Sequence, residues 1–437
     1  MRLSAFWRAV PLLGLAGLPS SARAQLVDTY LPVNVPGFDQ DRGVTVLSRQ
    51  RPLYQEQGVR LGGFTVRSGL DETFGYNSNI TGTPTGPGSA FLETNPSVSA
   101  ESNWSRNRLG ISATGDRFDY FSASRQSHTD WTVAIGGGVT ILKNTLDVGY
   151  SHVHGNEFGI NAGAVAYDTP VPFDVDIVRG AYTYERGRVT LTPNFDFRLY
   201  QYGNGEFAGQ TITQRFRDRT VASGGVTTRY LLSNERALVL VVQGSGSNYL
   251  NRQPGLPTNN SQSVLILPGI DYQATGPWRY RVLVGGEYRR FDAAQYGSRL
   301  SPIFEASVIY TPTELTTLTA TLRRAVEDPE AEGTSGYTST GVSLRADHEL
   351  RRNVLLQATA SYRSVNYFQS LGSTNAYSFG GGVTWLIDPH LSAFASYRYT
   401  RQDGSSTRPA VLTLGGPASV LPSFTQNLAL VGLRWRL

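Results

Sequence analysis

From Gly62 to Leu437 the chain repeats one unit: about a dozen residues alternating apolar and polar, then a turn. Side chains on a strand alternate between its faces, so each run has one apolar and one polar side. Residues 279–289 show the pattern, with Tyr280, Val282, Val284 and Tyr288 on one side and Arg279, Arg281, Glu287 and Arg289 on the other. A soluble sandwich would share this period, so the connections have to discriminate. Eight short turns fall at 105–107, 143–144, 185–187, 233–235, 275–277, 312–314, 351–353 and 388–390. Between them lie nine longer connections, at 77–90, 122–130, 155–171, 203–212, 250–262, 293–300, 327–336, 369–374 and 403–424. Short and long alternate throughout, which gives eighteen strands (sixteen if one hairpin is over-read) with both ends on the short-turn side. Bacterial outer-membrane barrels sort their connections in this way, short turns in the periplasm and long loops outside. The expected fold is all-β, a transmembrane antiparallel up-and-down β-barrel over residues 62–437.

The first residues read as a secretory signal. Arg2 and Arg8 precede an apolar stretch through Leu18, and Ala22-Arg23-Ala24 offers a cleavage site, so residues 1–24 are expected to leave and the mature chain to begin at Gln25. The formal charge then falls from +5 to +2, because Arg2, Arg8 and Arg23 go with the leader. So small a charge makes no electrostatic case for nucleic acid. Residues 25–61 lack alternation and carry Pro32, Pro36 and Pro52, which reads as a periplasmic extension tucked into the barrel mouth. The chain has no cysteine, so an exported protein of this size must rely on its hydrogen-bond ladder and burial. No mature stretch approaches the ~20 apolar residues of a transmembrane helix. A mean hydropathy of −0.25 fits a barrel, which needs apolar side chains only at alternate positions. Ala429, Val431, Leu433, Trp435 and Leu437 alternate to the chain end, the kind of strand that barrel-assembly machinery reads. Expected surroundings are therefore outer-membrane lipid and lipopolysaccharide.

Assigning the more apolar phase of each strand to lipid sends the other phase inward. The lumen then receives Arg67, Arg108, Arg179, Arg188, Arg198, Arg217, Arg219, Arg229, Arg279, Arg281, Arg289, Arg323, Arg345, Arg363, Arg398, Arg434 and Arg436. It also receives Asp71, Glu93, Glu101, Asp116, Asp147, Asp196, Asp271, Glu287, Glu305 and Asp347, which leaves an excess of seven positive charges. Charge facing lipid at mid-bilayer costs ~2–4 kcal/mol for Arg, so these groups imply a polar, hydrated interior. Arginine favours anions, since its guanidinium matches carboxylate and phosphate in forked geometry. The competing reading is that Arg–Asp and Arg–Glu ladders merely brace neighbouring strands.

Catalytic constellations are not evident. Of the five histidines, His390 falls in a short turn, His128 in a loop and His348 at a strand end. His152 and His154 share the phase of Leu146, Val148 and Tyr150 and should face lipid or its boundary. A His-x-His pair can ligate a metal, yet no carboxylate or third histidine is placed to finish a site, so no metal or other cofactor is expected. No serine pairs with a histidine in hydrolase spacing, and the glycine clusters 136–138 and 380–382 sit inside strands. A globular transporter plug would need well over a hundred residues ahead of the barrel.

The segment Arg51-Pro52-Leu53-Tyr54-Gln55-Glu56-Gln57-Gly58-Val59-Arg60-Leu61-Gly62-Gly63-Phe64 leads into Phe74-Gly75-Tyr76-Asn77-Ser78-Asn79-Ile80, and Asn103-Trp104-Ser105-Arg106-Asn107-Arg108-Leu109 follows. These residues resemble the β-barrel porin type 2 family of alphaproteobacterial outer-membrane proteins. The resemblance covers essentially the mature chain and implies a link to exopolysaccharide export, with secreted polysaccharide as an expected partner. It brings no catalytic residues. Three functions therefore stand as expectations: a porin-like channel for hydrophilic, anionic solutes or polysaccharide; a plugged scaffold barrel in a secretion system; and, least supported, a barrel hydrolase.

Overall fold

The structure, a computed structural model, describes residues 45–158, 167–207, 209–251, 255–273, 276–328, 335–370, 372–406 and 423–437. The leader expected over residues 1–24 lies outside them, as do residues 25–44. Eighteen strands form the wall. The first six are β1 (Phe64–Asn77), β2 (Ser89–Ser102), β3 (Arg108–Tyr120), β4 (His128–Ile141), β5 (Asn144–Glu157) and β6 (Val171–Arg186). Next come β7 (Val189–Tyr202), β8 (Arg219–Leu231), β9 (Arg236–Tyr249), β10 (Ser261–Gln273), β11 (Trp278–Phe291) and β12 (Ser298–Thr313). The last are β13 (Thr316–Glu327), β14 (Tyr337–Arg351), β15 (Val354–Tyr367), β16 (Gly372–Leu386), β17 (Leu391–Ser406) and β18 (Phe424–Arg436).

Each strand pairs antiparallel with its sequence neighbours, and β1 also pairs with β18 from Gly69↔Arg436 to Asn77↔Leu428. That last ladder closes the barrel and leaves no open sheet edge, the condition lipid imposes on a β-structure. The expected alternation of short turns and long loops is present throughout. One turn is shifted by a residue: it comprises Leu142 and Lys143, with Leu142 at φ 60°. A two-residue hairpin turn whose twist matches its strands needs positive φ, and here a non-glycine residue adopts it.

Alternation sorts the side chains. On β9, Leu238, Leu240 and Val242 are exposed outward, whereas Ala237, Val239 and Val241 are buried. Outward aromatic residues mark both ends of the wall. Trp104, Trp278, Trp385 and Trp435 stand near the short turns, and Phe74, Tyr76, Trp131 and Tyr397 stand towards the long loops. These girdles suit the two headgroup boundaries, where an amphipathic ring meets both media. An arginine at position 240, near the middle of an outward-facing strand, should cost about 2–4 kcal/mol. Urea unfolding of the L240R protein from lipid vesicles, compared with wild type, measures that cost; equal midpoints would place this face away from lipid.

The interior is less uniformly polar than expected. Val239, Val241, Leu265, Leu267, Leu283 and Ile303 form an inward apolar patch on β9 to β12, with Leu267 fully buried. Val326, at the long-loop end of the adjacent β13, packs against this patch. A second group joins Phe91, Phe118, Tyr120, Leu428 and Leu430 of the wall to Ile80 and Phe158 of the long connections. The physical reason is that the long connections and the end of β13 lie against these side chains and exclude water from them. Bore width inferred from strand number alone overlooks that approach. His128, expected in a loop, is the first residue of β4 and stacks on Phe118 at 4.7 Å inside this second group.

Residues 45–58 run inside the short-turn end. Val46 is buried against Leu355 and Leu386, and its N–H donates to Thr317 Oγ1 at 2.9 Å. Arg51 pairs with Glu349 at 2.6 Å, and Arg49 donates to the carbonyl of Glu314 at 2.5 Å. Val59–Leu61 then pairs with the start of β1, so regular sheet begins three residues ahead of Gly62.

Candidate functional site

The strands from β6 to β11 place one row of side chains straight across the inner wall. Cross-strand register runs Arg179↔Asp196, Asp196↔Ser223, Ser223↔Ser245, Ser245↔Ser263 and Ser263↔Arg289. At roughly 4.8 Å per strand this rung covers roughly 24 Å of wall. It is a line of three serine hydroxyls with arginine at each end. Ser245 and Ser263 share a hydrogen bond of 2.8 Å. One register step towards the long loops lie Arg198, Val221 and Ser247, then Arg219 beside Tyr200 and Tyr249. A cavity of about 170 Å³ opens over this wall, lined by Arg179, Arg198, Arg219, Arg289 and Arg323 among others.

The structure resolves much of the arginine list into ion pairs. Arg179 and Arg198 both donate to Asp196 at 2.6 Å, and Arg289 donates to Glu287 at 2.9 Å. Arg281 and Arg229 meet Asp271 at 3.1 and 3.6 Å, and a cavity of about 110 Å³ lies between them and Thr227. Arg345 pairs with Asp347 at 2.8 Å, and Arg323 lies 3.9 Å from Glu327. Arg434 and Arg436 both reach Asp71 across the closing seam. Arg279 and Arg398 lie half-buried on β11 and β17, away from the rung. Arg363 is half-buried on β15 and has no carboxylate partner among the described residues. Thus Arg179, Arg198, Arg219, Arg289 and Arg323 converge on one cavity, Arg229 and Arg281 on a neighbouring one, and Arg345, Arg363, Arg398 and Arg434 lie elsewhere on the wall.

Two placements differ from the sequence reading. Arg217 is not on a strand but in a single 3-10 turn, Arg215–Arg217, because β8 starts only at Arg219. Its guanidinium lies 4.0 Å above the Tyr202 ring and pairs with Glu157 at 2.6 Å. Arg188 is exposed in the turn before β7. Further acids also share the interior: Asp130, Glu157, Glu327, Asp328 and Glu349 are buried or cavity-lining and lower the positive excess. Each sits at or next to a strand end, where the strict two-residue period that assigns faces has least to work on.

Asp328, the first residue beyond β13, reaches back to side chains of β11, β9 and β8. Its carboxylate accepts from Arg289 Nη1 at 2.8 Å, and from Arg219 Nε and Ser247 Oγ at 3.3 Å. Burial pushes the Asp328 pKa up, but the Arg289 and Arg219 guanidiniums outweigh it and hold the carboxyl below the ordinary aspartate value.

On the outer face, His152 and His154 do acquire carboxylates, supplied by β6. His152 Nδ1 lies 2.8 Å from Asp176, and His154 Nδ1 lies 2.8 Å from Asp174. Trp131 stacks on His152 at 4.9 Å. The expectation that no carboxylate stands near the pair is therefore corrected; the partners are 20 or more residues away in sequence. Among the described residues no group of three or more His, Asp or Glu has the arrangement of a metal site.

The model of one family, Putative beta-barrel porin 2, matches residues 51–411. No curated protein matches the chain. Similar solved structures include a BenF-like porin from Pseudomonas fluorescens Pf-5, at TM-score 0.47 and 11% identity over 86% of this chain and 100% of that one. Pseudomonas aeruginosa OccK2 (OpdF), solved in complex with glucuronate, is similar at TM-score 0.47 and 10% identity over 87% and 100%. The FrpB iron transporter from Neisseria meningitidis (F5-1 variant) is similar at TM-score 0.47 and 8% identity over 85% and 82%. These are distant likenesses of a barrel and carry nothing about solute.

Proposed function

The chain belongs to the porin family whose model it matches, which makes it a porin-like channel of the bacterial outer membrane, and from that premise we propose that it passes hydrophilic anions. The observation that carries this reading is the wall from β6 to β13, where five arginines outnumber the four carboxylates Asp196, Glu287, Glu327 and Asp328 around one cavity, beside a row of serine hydroxyls. Guanidinium groups supply directed charge for carboxylate or phosphate, and hydroxyls replace the hydration of a polar solute. Segments of a secreted acidic polysaccharide share that chemistry and belong to the same proposal. Membership of a porin family argues against catalysis. Outer-membrane lipid and lipopolysaccharide are proposed neighbours, supported by the two aromatic girdles, and the assembly machinery is proposed to read β18.

Conductance of the refolded mature protein in a planar bilayer, under a salt gradient, tests the reading. The expected reversal potential is that of an anion-preferring pore. Replacing Arg179, Arg198 and Arg323 together by glutamine should move it towards cation preference. A cation-selective wild-type channel would overturn the assignment. A second reading, a barrel closed for a scaffolding role, is favoured by the seating of residues 45–58 inside the short-turn mouth. It expects no conductance until that segment is removed.

A further inference from the structure

Among the described residues, the counter-charge of Arg219 comes from the end of β13, five strands away, and not from a neighbouring strand. Arg219 is 2% exposed, and its guanidinium lies 4.2 Å above the Tyr200 ring and 5.8 Å from the Tyr249 ring, so its position is set by packing. Bracing between neighbouring strands would give it a carboxylate on β7 or β9. The residues opposite it there are Tyr200 and Tyr249, and the ion pair it makes is with Asp328, which follows β13. Five strand positions separate β8 from β13. The donors that hold Asp328 come from three strands, Arg219 on β8, Ser247 on β9 and Arg289 on β11. An aspartate side chain is a carboxylate on a short stem, and this one enters a preformed set of donors from the lumen side.

Next to that carboxylate lies the serine rung, Ser223, Ser245 and Ser263, with Gln243 on the same cavity wall. The cavity of about 170 Å³ is about tenfold what one water centre needs, roughly 10–15 Å³, so a sugar-sized polyol fits beside the rung. Charged donors fix one end of such a molecule and hydroxyls line its length.

We propose that Arg219, Arg289 and Ser247 form a carboxylate subsite in the lumen, for which Asp328 is a built-in surrogate, and that the channel binds polyhydroxylated monocarboxylates there by displacing Asp328. The inference rests on reading the lumen as an anion path and names the solute class. Charge-assisted hydrogen bonds contribute about 1.5–3 kcal/mol each, so losing one arginine should weaken binding about ten- to a hundredfold. Removing the charge of the internal competitor should strengthen it by a similar factor.

Gluconate is the probe, with sorbitol as its neutral counterpart and inorganic phosphate as an anion of different shape. Calorimetric titration of the refolded mature protein should show gluconate binding, with sorbitol and phosphate at least tenfold weaker. D328N should bind gluconate more tightly, and R219Q more weakly; S247A serves if R219Q fails to refold. Equal affinity for gluconate and sorbitol, equal affinity for gluconate and phosphate, or a D328N affinity equal to wild type each overturns the subsite. Bilayer recordings separate the two proposals. An anion-selective pore that gluconate neither binds nor blocks sinks the subsite and leaves the channel reading. Gluconate binding to a protein that never conducts sinks the channel reading and leaves the subsite.

Discussion

Replacing Glu157 by glutamine should lower the stability of the folded barrel by about 3–5 kcal/mol, the usual cost of breaking a buried ion pair from one side. Glu157 Oε2 accepts from Arg217 Nη1 at 2.6 Å, and the two side chains are 5% and 3% exposed. Neither group is on an adjacent strand: Glu157 ends β5, and Arg217 lies in the turn that precedes β8. The pair therefore ties the long connection after β7 to the wall three strands away. Two backbone bonds of that connection accompany it, from Gln214 N–H to Gly203 O at 3.1 Å and from Leu250 N–H to Asp218 O at 2.9 Å. Tyr202 beneath the guanidinium excludes water from its lower face. Arg401 and Asp403 provide the contrast, paired at 3.1 Å but about half exposed on both sides. Water screens so exposed a pair, so D403N should leave the stability close to that of wild type. Urea midpoints in lipid vesicles, read by tryptophan fluorescence, compare the two variants directly. If E157Q and D403N shift the midpoint equally, the Glu157 carboxylate is hydrated and the long-loop end of the lumen is wet.

The same contrast explains what the sequence discloses. Strand order, the eight turns and the lipid-facing phase follow from local chemistry. Leu238, Leu240 and Val242 repeat every second residue, and turn residues punctuate the runs at 105–107 and 388–390. Those signals act over a few residues, so alternation reports them. The content of the lumen depends on which parts of the wall face one another. From Ala237 to Val242 β9 is apolar at every position, so its inward patch leaves no mark in the period and is apparent only once Val326 is seen against it. Arg219 is legible as an inward charge, but its counter-charge Asp328 belongs to the polar connection 327–336. Likewise the alternation of β5 sets His152 and His154 on the outward phase, while Asp174 and Asp176 become their partners only through the register of β5 with β6. Cross-strand ladders bring distant residues side by side, and a turn shifted by one residue would undo every such pairing.

Weakening the seat of residues 45–58 should release that segment on the order of a thousandfold more often, and should do so without unfolding the wall. Arg51 and Glu349 are 9% and 6% exposed at 2.6 Å, and R51Q leaves Glu349 with only the longer contact to Arg49 at 3.8 Å. A loss of about 3–5 kcal/mol at that pair converts, at 1.4 kcal/mol per decade, into that change in the open population. The wall keeps its ladder, because the segment adds side-chain contacts and the single N–H bond of Val46 to β13. Acidity should act on the same equilibrium through Glu56. Burial raises its pKa, the charges of Arg436 and Arg67 oppose the rise, and Asp71 adds to it. A carboxyl whose pKa is raised in the seated form favours seating while protonated, and that contribution disappears as pH climbs through the raised value. The segment should therefore be held more firmly in mild acid than at neutral pH, and E56Q should remove the dependence. Trypsin cleavage at Arg49, followed on the barrel in lipid vesicles, reports the open population, and bilayer conductance at the same two pH values reports whether opening widens the path. Faster cleavage of R51Q with unchanged conductance would make the segment a passenger in the mouth. Faster cleavage together with larger current would make it the element that sets the size of the pore.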